Sequence, residues 1–201
     1  MKAGMIYMAS GFGSRFGSNK LLEEWNGKPL YRYGLEALLE AAEILKEAYG
    51  WQVRIVTVSQ YGEIRKTAER AGAEALENPW SHEGITASIR LGTERMEEDT
   101  ELYVYCTADQ PRLDGKTMAE FLYAFSANPF GIGCVSAGGK KGNPAVFRGR
   151  YREELMALTG DRGGSQLMKR YPEEVWRYPV AEEMLADVDV PEELERLRKG
   201  I

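Results

Sequence analysis

The stretch Gly4-Met5-Ile6-Tyr7-Met8-Ala9-Ser10-Gly11-Phe12-Gly13-Ser14-Arg15-Phe16-Gly17-Ser18-Asn19-Lys20 decides the fold. Its opening is apolar without alternation, as in a strand buried on both faces, and it runs directly into a basic, glycine-rich loop. Downstream, residues 29–48 carry apolar side chains at helical spacing, 53–59 read as a strand, 64–71 as a helix and 73–76 as a short strand. A helix over 86–96, a strand over 102–107 and a helix over 116–127 continue the alternation. Strands that are apolar throughout and separated by helices form a parallel sheet covered on both faces, because each parallel crossover needs a helix to carry the chain back. The fold class is therefore α/β, a doubly wound, mostly parallel, Rossmann-like sheet.

After Pro129 the rhythm changes to a strand at 132–136, a Gly/Lys turn at 138–142, a strand at 145–147, two short helices and a strand at 175–178. This small β excursion is the expected second wall of a cleft. Residues 191–199 read as a charged amphipathic helix with Pro191 at its start. With no linker, repeat or low-complexity tract, residues 1–201 read as a single domain.

Composition narrows the function. Lys+Arg 26 against Asp+Glu 31 leaves a net charge of −5, which opposes a bulk electrostatic grip on nucleic acid. Cys106 and Cys134 sit singly in apolar runs and read as reduced core thiols. No apolar run approaches the roughly 20 residues of a membrane span, and the N-terminus lacks a secretory pattern, so no membrane and a cytoplasmic location are expected. His82, the sole histidine, lies in a polar loop with no Gly-x-Ser-x-Gly elbow in the chain, which argues against a hydrolase triad.

The loop at 9–20 follows a strand, and ligands of open α/β sheets bind at the carboxyl ends of strands. Glycines let backbone N–H groups turn toward a phosphate, while Arg15 and Lys20 supply fixed positive charge. Gly11, Gly13 and Gly17 are one residue too far apart for a dinucleotide fingerprint, and Asn19-Lys20-Leu21 does not end as a Walker loop does.

The loop instead resembles the signature L-A-A-G-x-S-x-R-M-G-x-x-K of the molybdenum cofactor nucleotidyltransferases, the MobA-like NTP transferases, with Arg15, Gly17 and Lys20 in register. Ser10, Gly13 and Phe16 depart from it. Further matches are Asn26-Gly27-Lys28-Pro29-Leu30, a turn into the first helix with Pro29 as its first residue, and Asn78-Pro79-Trp80 followed by Gly84 through Ser88, Arg90 and Gly92. Thr107-Ala108-Asp109-Gln110-Pro111, Gly142-Asn143-Pro144, Gly160-Asp161-Arg162-Gly163-Gly164 and Asp187-Val188-Asp189-Val190-Pro191 complete the set.

The resemblance implies a nucleotidyltransferase that moves a nucleoside monophosphate, CMP from CTP in the branch it is most similar to, onto the phosphate of molybdopterin with release of pyrophosphate. A guanylyltransferase or a sugar-phosphate nucleotidyltransferase is the alternative. It implies Arg15, Lys20 and Asp109 as catalytic, and Ala9, Ser10, Gly11, Gly13, Ser14, Gly17, Asn78 and Ser88 as nucleotide-binding. Asn143, Pro144, Asp161 and Arg162 would face the acceptor, where Ser165 replaces a usual Arg and Lys140, Lys141 or Arg162 could compensate. Asp109 and Asp187 would hold Mg²⁺, an ion that prefers one or two carboxylates plus phosphate oxygens. Asp189 is the rival of Asp187, or else both are structural, with Asp189 capping the last helix. A molybdenum-enzyme partner fits the same resemblance, and so does a non-catalytic nucleotide-binding chaperone of such an enzyme.

Overall fold

The computed structural model describes residues 1–11 and 19–199. Strand β1 (Lys2–Met8) leads past the loop to a two-stranded hairpin of β2 (Glu24–Trp25) and β3 (Lys28–Pro29), then to helix α1 (Leu30–Tyr49). Next come β4 (Gln52–Ser59), α2 (Gly62–Arg70), β5 (Glu74–Glu77), α3 (Ile85–Arg95), β6 (Leu102–Thr107) and α4 (Gly115–Ser126). The excursion comprises β7 (Ile132–Ala137), β8 (Lys140–Arg148), α5 (Arg152–Met156), α6 (Ser165–Arg170) and β9 (Val175–Pro179), and α7 (Pro191–Lys199) follows.

The main sheet runs β5-β4-β1-β6-β8-β7-β9. β5, β4, β1 and β6 are mutually parallel, β8 is antiparallel to both β6 and β7, and β9 is parallel to β7. The doubly wound, mostly parallel α/β reading is what the molecule has, and no described helix is long and apolar enough to cross a membrane.

Period-two alternation divides each central strand between two cores. Met5 and Tyr7 of β1 pack with Leu35, Leu38 and Leu45 of α1 and Phe121, Leu122 and Phe125 of α4. Ile6 and Met8 pack on the opposite face with Ile89 of α3, Leu155 of α5 and Leu167 of α6. Gly92 lets α3 approach closely, since a Cβ there would stand 2.4 Å from Ile6. A third, smaller cluster seats Leu194 and Leu197 of α7 on Leu30 and Val188, which brings the 187–189 segment back beside the end of β6. Both cysteines are buried and unbridged.

Two local readings need correction. Residues 24–29 form a hairpin, not a simple turn into the helix: Asn26 and Gly27 have φ of 49° and 73°, the left-handed pair of a two-residue loop. Helix α1 accordingly begins at Leu30, with Pro29 as its N-cap. The turn at 138–142 contracts to Gly138-Gly139, φ 54° and 81°, and β8 starts at Lys140. Pairing between β7 and β8 shifts register between Cys134 and Ser136, across from Asn143-Pro144, where proline offers no N–H to the ladder.

Candidate functional site

β1 has β4 on one side and β6 on the other, so the loops leaving β1 and β6 diverge at a switch point, and a crevice opens beyond their carboxyl ends. A cleft of about 350 Å³ lies there, lined by Ser10, Gly11, Lys20, Ser88, Asp109 and Asp161 among others.

Lys20 is the centre of its charge. The side chain is only 8% exposed and lies 3.1 Å from Asp109 Oδ2 and 2.7 Å from Asp189 Oδ1. Burial works against its charge, but the Asp109 and Asp189 carboxylates outweigh it and hold the ammonium above its ordinary range. Asp109 stands just beyond β6, where Ala108 N–H still bonds Met8 C=O and Asp109 C=O accepts Val188 N–H at 3.0 Å. The C-terminal segment is thereby hydrogen-bonded to the strand end that carries the carboxylate. Asp187 Oδ1 accepts from Gln110 Nε2 at 2.7 Å. Partial desolvation of its carboxylate, and after that the Asp109 charge, push Asp187 up to about 6. Asp189 does not cap α7 with its side chain. Glu193 Oε2 reaches back to the N–H groups of Asp189 and Val190, at 2.6 and 3.0 Å, and leaves Asp189 to Lys20.

A buried polar cluster braces the other wall. Asn78 Nδ2 donates to Ser10 Oγ at 3.2 Å and to Ser88 Oγ at 3.0 Å, and Ser10 Oγ donates to Val58 C=O. Ser88 therefore lines the cleft with its hydroxyl already engaged, while Asn78, 1% exposed, stands behind the lining. Ala9 is also behind it: fully buried, it donates N–H to Val58 C=O and accepts Ser59 Oγ on its own C=O. Gly13, Ser14, Arg15 and Gly17 lie outside the described residues.

The acceptor-side candidates separate. Asp161 Oδ1 accepts the Ile85 N–H at the start of α3 at 2.9 Å and lines the same cleft as Lys20 and Ser88. Gly84, φ 91°, makes room for it, since a Cβ there would stand 2.3 Å from that oxygen. Arg162 and Asn143 line an adjoining space of about 180 Å³ with Ile85 and Phe147. Pro144 is buried near Thr107 and Cys106. Arg90 pairs with Glu83 at 2.6 Å, and His82 is an exposed loop residue on the rim of the first cleft.

Sequence reasoning passed over the strap after β4. Ser59 Oγ, Gln60 Nε2 and Tyr61 OH donate in turn to the C=O groups of Ala9, Ser10 and Gly11, at 2.6, 2.8 and 2.9 Å. The available signal was position: Ser59 ends a strand parallel to β1 and next to it, and Gln60 and Tyr61 follow directly. It also gave no role to Gln110, which orients Asp187.

The donor set suits a hard divalent cation. One described lysine stands against Asp109 and Asp189, with Asp187 in the same field, so negative charge is in excess. Among the described residues no three His, Cys, Asp or Glu side chains close into a metal-binding group. An ion that keeps only one or two carboxylates and completes its shell with phosphate oxygens and water is the kind that matches.

The profile of the MobA-like NTP transferase domain matches residues 5–175. The chain is 26% identical over 155 residues to a probable molybdenum cofactor guanylyltransferase of Bacillus licheniformis, covering 77% of this chain and 73% of that protein. It is 25% identical to the Bacillus subtilis protein of the same description, covering 77% and 71%. The crystal structure of Rv0371c from Mycobacterium tuberculosis H37Rv superposes with a TM-score of 0.78 at 19% identity, over 98% of this chain and 97% of that one, a likeness of fold.

Proposed function

The chain belongs to the MobA-like NTP transferase domain family, and on that premise we propose that it moves a nucleoside monophosphate from a nucleoside triphosphate onto the phosphate of molybdopterin, releasing pyrophosphate. The observation that carries this is the meeting of Lys20 and Asp109 at one cleft with Ser10, Ser88 and the start of α3.

A phosphate monoester is itself a nucleophile, so catalysis is chiefly positioning and charge neutralisation. In this reading the triphosphate lies along the loop between β1 and α1, and Lys20, freed from its carboxylates, offsets charge at the phosphates. Arg15 belongs to the same loop and adds a second cation. Mg²⁺, held by Asp109 and Asp187, would supply further charge neutralisation at the nucleotide phosphates. Gln110 orients Asp187, and the Ser59-Gln60-Tyr61 strap fixes the root of the loop. Asn143, Pro144, Asp161 and Arg162 keep their reading as acceptor-side residues, with Asp161 acting through the helix start it caps.

The donor base has two readings. CTP follows from the likeness of the Ser88-Ile89-Arg90 element to the cytidylyl branch. GTP follows from the names of the two Bacillus relatives. Pyrophosphate release from CTP, GTP, UTP and ATP, with and without molybdopterin and with and without Mg²⁺, tests the proposal. Release that needs molybdopterin supports it and the preferred base selects the branch. Nucleotide binding without release from any of the four removes molybdopterin transfer and points to another acceptor or to the maturation chaperone of a molybdenum hydroxylase.

A further inference from the structure

On the far side of the 187–189 segment lies a second cleft, about 440 Å³, that the motif analysis did not single out. Three stretches of chain far apart in sequence close around it: the turn after β6, the β7–β8 hairpin and helix α7. Each contributes cations, namely Arg112, Lys140 with Lys141, and Arg196. Of its four carboxylates, Glu182, Asp187, Asp189 and Glu193, the last three already hold partners. Asp187 accepts from Gln110, Asp189 pairs with Lys20, and Glu193 takes two backbone N–H groups. The cations do not: among the described residues none of the four has a carboxylate within ion-pair distance, whereas Arg90, Arg65 and Arg198 elsewhere do. Arg112 is half-buried, three residues beyond Asp109, so its charge is not simply that of a solvated surface residue.

We propose that this second cleft binds the phosphate of the acceptor, with Arg112 and Arg196 as its principal cations and Lys140 and Lys141 in support. The assignment rests on the proposed transfer reaction only in identifying the acceptor. It moves the anion site from Arg162, beside which Ser165 Oγ is turned back onto Arg162 C=O at 2.6 Å, toward Lys141, which lines both spaces, and toward Arg112, Lys140 and Arg196 beyond it. Asp189, which lines this cleft, pairs at 2.7 Å with Lys20, which lines the first, so an anion held here lies on the other side of that ion pair. Its basic side also provides what the missing arginine at Ser165 would have supplied.

The test compares the wild-type protein, the R112E/R196E and R112Q/R196Q variants, and R162E as the neighbouring-space comparator. Two probes are titrated with the first cleft saturated by α,β-methylene CTP and, separately, α,β-methylene GTP: inorganic phosphate followed by ³¹P NMR, and molybdopterin followed by tryptophan fluorescence. Each lost charge-assisted contact should weaken binding by about tenfold or more. The expected result is that R112E/R196E weakens both probes by at least this factor, R112Q/R196Q by less and R162E little, with thermal melting preserved. Phosphate binding that is lost in R112E/R196E, with no molybdopterin binding to any protein, upholds the cleft and removes molybdopterin as the acceptor. Binding of both probes undiminished in R112E/R196E, or lost only in R162E, overturns the assignment, as does a wild-type protein that binds neither.

Discussion

Around the first cleft Ser10, Ser88, Asp161 and Lys20 each hold a named partner, whereas around the second, among the described residues, Arg112, Lys140, Lys141 and Arg196 have no carboxylate within ion-pair distance. The first is therefore fixed in advance by hydrogen bonds and an ion pair to β4, α3 and the 187–189 segment, and the second is left to be ordered by what enters it. This division suits a reaction in which a triphosphate must be held in one geometry while an incoming anion supplies its own counter-charge. It also puts the cost of change in different places. Disturbing the first cleft should damage chemistry and stability together, and disturbing the second should damage binding alone.

The largest test of that contrast is Asp109→Asn. The amide keeps the shape but removes the charge that Lys20 answers. Pyrophosphate release should fall by about 10²–10³-fold, the usual cost of one electrostatic group at a reacting centre, while nucleotide binding changes only a few-fold. Steady-state release and equilibrium binding measured on the same preparation decide it. Release retained at the wild-type rate would break the assignment of Asp109 to the chemistry.

Next in size is a pair of glycine substitutions. Gly84→Ala puts a Cβ at φ 91° and 2.3 Å from Asp161 Oδ1, so the cap of α3 must move. A loss of about 2–3 kcal/mol of stability is expected, with weaker nucleotide binding. Gly139→Ala at the tip of the β7–β8 hairpin has φ 81° but meets nothing within 4 Å, so only the backbone cost of about 1 kcal/mol applies. Urea midpoints of the two variants, compared with wild type, measure the difference; equal losses would say that the first cleft is no more tightly braced than the hairpin.

What was legible in the sequence follows the same division. Every long element except β8, read only over 145–147, was readable because its apolar side chains repeat at a helical period or run unbroken as in a buried parallel strand. The β2–β3 hairpin was hidden because its strands are two residues each and show no alternation, although Asn26-Gly27 carried the turn chemistry. At the site, Lys20, Asp109, Ser88 and Asp161 were readable as motif residues, and the fold does bring them to one cleft. Residues 12–18, which carry Arg15, are not among those described. Of the second cleft, Lys140 and Lys141 were readable as acceptor-side candidates, but Arg112, Arg196 and the cleft itself were not. Arg112, Lys140 and Arg196 come from three distant segments, and no spacing rule connects them before the sheet and α7 have packed.

Asp187 offers a smaller test, through pH. Its carboxyl is pushed up to about 6 from an ordinary 3.8, so between those values the folded protein binds more protons than the unfolded chain and stability falls as pH rises. Below about 4 both states are protonated and the penalty vanishes; above about 6 it is complete. Because the group is partly solvated, it should amount to no more than about 1 kcal/mol. Asp187→Asn should therefore melt higher than wild type at pH 7 and alongside it at pH 4, in chelator to keep divalent cations away. A variant that melts lower at pH 7 would place Asp187 among the bracing residues, and not among those waiting for positive charge.

The smallest expected effect is at Tyr61. Its hydroxyl is the outermost of the three donors on the strap, reaching Gly11 C=O at 2.9 Å at the exposed edge of the cleft, while Ser59 and Gln60 hold Ala9 and Ser10 deeper in. An exposed hydrogen bond that water can replace contributes about 0.5 kcal/mol, so Tyr61→Phe should leave the melting temperature almost unchanged. Its consequence should appear in the loop that begins at Gly11: with the root less fixed, more ordering is left to the moment of nucleotide binding, and affinity should fall by about two- to threefold with turnover at saturation nearly intact. Ser59→Ala, by contrast, leaves the buried Ala9 C=O without its side-chain donor and should lower both stability and turnover, by about 1–2 kcal/mol in stability. If the two variants behave alike, the strap is uniform and the bracing of the first cleft extends to its rim; if they split as described, the bracing ends at Ser10.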